Sequence, residues 1–414
     1  MKQKIFSILN SSTSRDTLFS MVGVGVISLV GMLFTVIMAR SLEPSAFGVF
    51  SALTALVTIL SSMGDFGLSS ALINFLPKLK DQRKELISVS FWFQLVVSIF
   101  FILSLIIVGF WNNYIIPGSS QVQFALAGVL IAVYIVQGLC VAVFSADKKF
   151  IQSSLVQAID SVLKMLLVLA VFAKGVVNIE FALIANIVSC SASLIYGLKY
   201  ELKNIRPIFP RQQIISIFNF AKWIALSRIF STTISRVDIL LLNLLAGNYQ
   251  AGIFSAASRI TLLFALLVSS LGNVIAPRFS AFVNHQDIKT YLKKVSMLVG
   301  VICLFMLVCV ALAEPLILFV FGVKYLPAVP VFRALTFAMI PFLLSIITTQ
   351  PLIYYFNKPN FFALLTILQV VTIVSLDILL IPHFQAMAPA ISLGVANTLV
   401  VAISGYKLYR LIRE

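Results

Sequence analysis

The densest run of polar chemistry inside an apolar stretch of this sequence is Arg228, Ser231, Ser235 and Asp238, spaced by 3, 4 and 3 residues. At about 100° per residue these four share one face of a helix, flanked by Thr232 and Arg236. Two kinds of chemistry suit such a stripe. An internal Arg–Asp pair could hold neighbouring helices together. Alternatively, the arginines form a cationic wall, because a guanidinium offers a fixed fork of donors that matches phosphate oxygens. Arg259, in the next apolar stretch, could serve the same wall. Asp160 and Lys164 stand at i and i+4 and should meet, as a structural bridge or as a further source of positive charge. Asp65 sits between Gly64 and Gly67, where glycines permit a kink or a close helix contact. Packing and ion coupling explain Asp65 equally well. Asp160 and Asp238 are further candidates for coupling. Arg40 closes the first apolar stretch, as an anchor or as part of a gate.

The elements that must position these groups follow from composition. The 414 residues are 60% hydrophobic and only 11% charged, with a mean hydropathy of +1.07. A water-soluble enzyme, a disordered chain and a disulfide scaffold are excluded, and lipid is the expected solvent. The four cysteines lie inside apolar runs without metal-ligand spacing, and two histidines are too few for a metal centre. A bilayer core needs about 20 apolar residues per helix. Twelve spans are expected: 17–39, 46–75, 87–111, 122–144, 153–174, 178–199, 217–245, 251–276, 294–321, 330–356, 360–381 and 388–409. The first is too long for a cleavable signal peptide and is expected to remain as a helix. Its small residues Gly25, Ser28, Gly31 and Thr35 suggest close packing against a neighbour. Glu314, Arg333 and Asp377 fall near span ends, where snorkelling accounts for them.

The formal charge of +16 is explained by where the cations fall. One alternate set of connections holds 21 of the 30 Lys and Arg, including Lys78, Lys80, Arg83 and Lys84. The other set holds only Arg40, Lys174 and Lys324. This asymmetry puts both termini in the cytoplasm and requires no nucleic acid. No connection exceeds about 20 residues, the length of a single span, so no soluble catalytic domain is expected. The phosphate-binding Gly-rich motif of ATPases is absent. No cofactor is expected, and the residue pattern leaves H+ or Na+ coupling open.

The chain also repeats itself. Gly48-Val49-Phe50-Ser51-Ala52 is answered by Gly252-Ile253-Phe254-Ser255-Ala256, and Pro77-Lys78 by Pro277-Arg278. Ile116-Pro117 is likewise answered by Leu326-Pro327. The expected fold is an all-α polytopic membrane protein with twelve transmembrane helices in two pseudo-symmetric six-helix lobes around a central cavity. The lobes are expected at 1–200 and 217–414, with a basic cytoplasmic linker at 201–216.

The segment from Ile37-Met38-Ala39-Arg40-Ser41-Leu42-Glu43-Pro44 through Gly64-Asp65-Phe66-Gly67-Leu68 resembles the start of bacterial polysaccharide-biosynthesis flippases. These form the O-antigen (Wzx-type) branch of the multidrug/oligosaccharidyl-lipid/polysaccharide exporter superfamily. Asp238 to Arg259 resembles that family's second-half signature. The resemblance implies a multi-pass protein of the bacterial inner membrane that moves an undecaprenyl-pyrophosphate-linked oligosaccharide from the cytoplasmic to the periplasmic leaflet. It implies membrane lipid as a partner, together with polysaccharide polymerase and chain-length machinery. The phosphate wall of Arg228, Arg236, Arg259 and Lys164 would then face a diphosphate. The alternatives are a peptidoglycan-precursor or teichoic-type lipid flippase, or a multidrug/cation antiporter, whose cavity should be net acidic. A sugar polymerase would need a sizeable outer loop, and the longest expected here, Asn112 to Gln121, carries no charge.

Overall fold

The computed structural model describes residues 12–172, 177–201, 211–280 and 285–413. Lys2, Lys4, Lys174, most of the expected linker and part of the boundary at Gly175–Val177 lie outside them. Helices account for nearly all of the described chain and no strand occurs in it. They are α1 (Ser12–Ser41), α2 (Pro44–Asp65), α3 (Leu68–Phe75), α4 (Arg83–Val108), α5 (Gln121–Ala146), α6 (Phe150–Phe172), α7 (Ile179–Glu201) and α8 (Arg211–Ile234). There follow α9 (Val237–Ala246), α10 (Asn248–Ser280), α11 (His285–Ala311), α12 (Ala313–Phe321), α13 (Ala328–Tyr354), α14 (Pro359–Phe384) and α15 (Ala388–Arg413). Among the described residues, nine helical segments are long and apolar enough to cross a membrane, ten when the broken pair α8–α9 counts as one.

Packing divides the chain into two compact units. One comprises Ala52–Arg236 with the segment ending at Leu42; the other comprises Val237–Glu414 with Glu43–Ser51. In the first unit α1 packs on α6, and α5 lies against α4, α6 and α7. Leu68, Leu72, Leu86, Leu139, Val143 and Ile217 form an apolar core where α3, α4, α5 and α8 meet. Polar clasps close the ends of this unit. A capping box of Ser120 and Gln123 starts α5, and Gln123 Nε2 donates to Glu180 Oε1 at 2.5 Å. At the other end Arg83 grips Asp147 through both guanidinium nitrogens.

In the second unit α13 is central, packing on α10, α11 and α15. The repeated glycines meet here. A Cβ on Gly48 would lie 1.9 Å from the Asn248 carbonyl oxygen, and one on Gly252 would lie 1.8 Å from that of Pro44. The first turns of α2 and α10 therefore cross backbone to backbone, and only glycine fits at either position. Phe47 packs edge-on against Tyr325 at 5.9 Å, and Lys324 Nζ reaches Glu43 Oε1 at 2.6 Å beside it.

Three local expectations are corrected. The stripe from Arg228 to Asp238 does not run along one continuous helix, because α8 ends at Ile234 and a turn at Ser235–Arg236 intervenes. Gly25 and Gly31 of α1 have no atom within 4 Å of a Cβ position, so they do not mark a close helix contact; α1 instead meets α6 at Gly23, opposite Ser154. Asp377 does not snorkel: it is fully buried, whereas Glu314 and Arg333 are exposed.

Candidate functional site

The kink anticipated at Gly64–Gly67 is a sharp corner between α2 and α3. Phe66 and Gly67 both adopt left-handed backbone, with φ of 51° and 73°. A Cβ on Gly67 would lie 2.6 Å from the Ala221 carbonyl oxygen, so the corner seats directly on the backbone of α8. That contact brings Asp65, the last residue of α2, to Arg228. Arg228 Nη1 donates to Asp65 Oδ2 at 3.0 Å. The other carboxylate oxygen accepts from Gln94 Nε2 at 3.2 Å, from the Ser69 amide at 3.3 Å and from the Ser69 hydroxyl. The Asp65 side chain is 9% exposed and that of Arg228 49%. One turn along α8, Thr232 Oγ1 lies 3.1 Å from Ser62 Oγ.

A second charged cluster in the same unit joins α6 and α7. Lys164 Nζ donates to Asp160 Oδ2 at 3.2 Å, as the i, i+4 spacing requires, and Ser189 Oγ donates to Asp160 Oδ1 at 2.7 Å. Lys164 also stands over the Phe34 ring at 5.8 Å. Both side chains of the ion pair are nearly buried.

The second unit holds the remaining acid. Asp238, in the first turn of α9, lies beside Asp377 of α14. Both oxygens of Asp377 and Oδ1 of Asp238 are buried and accept no hydrogen bond. Ser392 adjoins Asp377, with its hydroxyl turned to the Ala388 carbonyl at 3.1 Å. Two adjacent carboxylates without donors repel each other unless a proton or a small cation lies between them. Among the described residues neither Arg236 nor Asp238 enters an ion pair, and no three metal-ligating side chains converge. Arg259 is half-buried in α10, and Arg40 is exposed in the last turn of α1.

The structure thus unites Arg228 with Asp65 and Lys164 with Asp160. Sequence reasoning missed Gln94, Ser69, Ser189 and Asp377. A signal was present for one of them: Ser90, Gln94 and Ser98 recur every fourth residue and are all buried.

A family profile described as polysaccharide biosynthesis protein matches residues 37–330, and the chain belongs to that family. It is 23% identical over 401 residues to a Shigella flexneri protein named as a candidate O-antigen transporter, covering 92% of this chain and 94% of the relative. The succinoglycan biosynthesis transport protein ExoT of Rhizobium meliloti (strain 1021) is 23% identical over 306 residues, covering 71% of this chain and 60% of that relative. Among solved structures, the fold is similar to the lipid II flippase MurJ in its inward closed conformation. The TM-score is 0.75 at 14% identity, covering 95% of this chain and 87% of that one. It is also similar to an inward-facing multidrug resistance MATE family transporter of the MOP superfamily, with TM-score 0.70 at 15% identity and 94% of each chain covered. The chain is therefore a multi-pass helical membrane protein that shares the fold of these two solved structures, and the two curated relatives above are named as transporters.

Proposed function

We propose that this protein is a flippase that carries an undecaprenyl-pyrophosphate-linked oligosaccharide, the repeat unit of O-antigen or a similar surface polysaccharide, from the cytoplasmic to the periplasmic leaflet by alternating access. The observation that carries this reading is Arg228. It is a fixed cation among apolar helices, anchored through one nitrogen, with half of its side chain exposed. An arginine held in this way offers its remaining donors to an anion such as a diphosphate. Arg236 and Arg259 are the further cations of this proposal, while Lys164 is engaged by Asp160. Family membership and the candidate O-antigen transporter support a polysaccharide-linked cargo.

On this reading the protein lies in the bacterial inner membrane with both termini cytoplasmic, as the uneven distribution of Lys and Arg favours. Twelve spans in two lobes, 1–200 and 217–414, enclose the path, and Arg40 anchors the outer end of the first. The Asp238–Asp377 pair is the coupling site, taking up a proton or a Na+ ion between its two carboxyls. Polymerase and chain-length machinery receive the flipped unit.

The test is deletion in the native bacterium. Surface polysaccharide should be lost, and polyprenyl-diphosphate oligosaccharide should accumulate in the cytoplasmic leaflet until a plasmid copy restores export. Unchanged surface glycan without accumulated lipid would overturn the reading. An abundant Arg228→Ala/Arg236→Ala/Arg259→Ala protein that restores normal export would remove the arginines from it.

A further inference from the structure

Within the first compact unit, α2 and α8 face each other at two successive polar rungs. One rung is Asp65 with Arg228; the other, one turn away, is Ser62 with Thr232. We infer that these two rungs form a subsite for two adjacent phosphates, with Arg228 holding one and the Ser62–Thr232 hydroxyl pair holding the other, and that Asp65 is a positioning residue for Arg228. The inference rests on the proposed cargo and narrows it: the site selects a diphosphate lipid over the corresponding monophosphate.

Donor accounting carries the argument. Arg228 has five N–H donors and commits Nη1 to Asp65, so the Nη2 and Nε edge remains for an anion. Ser62 and Thr232 have two hydroxyl hydrogens between them, and their mutual bond at 3.1 Å uses one. The other is available to a phosphate oxygen. Residues 228 and 232 are an i, i+4 pair, so their Cβ atoms stand about 6 Å apart along one face, and Asp65 and Ser62 on α2 meet them in the same order. A single phosphate covers one rung, whereas two linked phosphates reach both. Both residues of the hydroxyl rung are half-buried, and the Arg228 side chain is half exposed, so an anion can reach the donors.

Asp65 is suited to fixing a partner. Gln94, the Ser69 amide and the Ser69 hydroxyl hold one oxygen, which turns the other to Arg228. The left-handed corner at Phe66–Gly67 rests on Ala221, so the carboxylate and the helix bearing Arg228 are held in one register. A guanidinium tethered in this way loses less freedom when it binds than a free one.

The test uses the purified full-length protein in lipid nanodiscs, with geranylgeranyl diphosphate and geranylgeranyl monophosphate as probes. Wild type should bind the diphosphate about tenfold more tightly, as expected for additional hydrogen bonds to a charged group. Ser62→Ala/Thr232→Val should bring that ratio close to one and leave monophosphate affinity unchanged, while Thr232→Ser should keep it. Arg228→Ala should weaken both lipids. Asp65→Asn should also weaken both, with no further loss in the Arg228→Ala background; a merely structural role would lower thermal stability without that dependence. An unchanged ratio in a folded Ser62→Ala/Thr232→Val protein overturns the inference. If that variant does not fold, a wild-type ratio of one overturns it equally. Preferential diphosphate binding together with normal export in the deletion strain would sustain the subsite and reject the flippase reading.

Discussion

Asp65 in the first compact unit and Asp377 in the second are both buried aspartates on apolar helices, yet their surroundings are opposite. Asp65 accepts from a guanidinium, an amide side chain, a hydroxyl and a backbone N–H. Asp377 accepts from none of these, and its neighbour is a second carboxyl, Asp238. The same residue type is fully hydrogen-bonded in one place and left without a donor among the described residues in the other. Donor count, not burial, separates the two, because a carboxylate with satisfied oxygens is stabilised in place whereas two unsatisfied ones are stabilised only by what they recruit.

The largest effect should come from removing the anchor. Asp65→Ala strands Gln94 and Ser69 and frees Arg228, so about 3 kcal/mol of stability should be lost. Asp377→Ala should cost little or raise stability, because it removes a repulsion. Thermal unfolding in one detergent compares the two, and equal losses would erase the contrast between the sites.

Next comes Lys164→Met, which leaves Asp160 with only Ser189 and should cost about 2 kcal/mol. Adding Asp160→Asn should return most of it if the pair is structural. A double variant no more stable than the single would instead assign Asp160 a further partner.

Asp238→Asn should leave melting within error yet change export about fivefold or more, the scale of a coupling free energy. Export would be measured by complementation normalised to protein level. Asp238→Asn that unfolds the protein would place this acid with the anchors. The smallest effect belongs to Lys324→Ala, since its partner Glu43 and the ammonium are both exposed; below about 1 kcal/mol is expected.

How much could be read from the sequence depended on range. Hydropathy located the helices, because lipid demands long uninterrupted apolar runs. The α2–α3 corner was legible in Gly64 and Gly67, and the Asp160–Lys164 bridge in its i, i+4 spacing, since both are local. The partner of Asp238 was not legible: Asp377 lies 139 residues away, and its position near a span end suggested snorkelling. The stripe from Arg228 to Asp238 misled for a related reason. Helical periodicity assumes an unbroken helix, and nothing in Ser235-Arg236-Val237 resembles the Gly or Pro that normally signals a break. The repeat was visible in Gly48 and Gly252, but not that the two copies touch.

That touching contact has an energetic consequence. With no side chain between the helices, each glycine directs a Cα–H at the other helix's carbonyl, at Asn248 and Pro44. Such weak bonds contribute about 0.5–1 kcal/mol each, so the reciprocal pair contributes about 1–2 kcal/mol to the crossing. The crossing is therefore narrow in what it accepts: any Cβ excludes it, and the two weak bonds add to the packing of Phe47 on Tyr325 beside them.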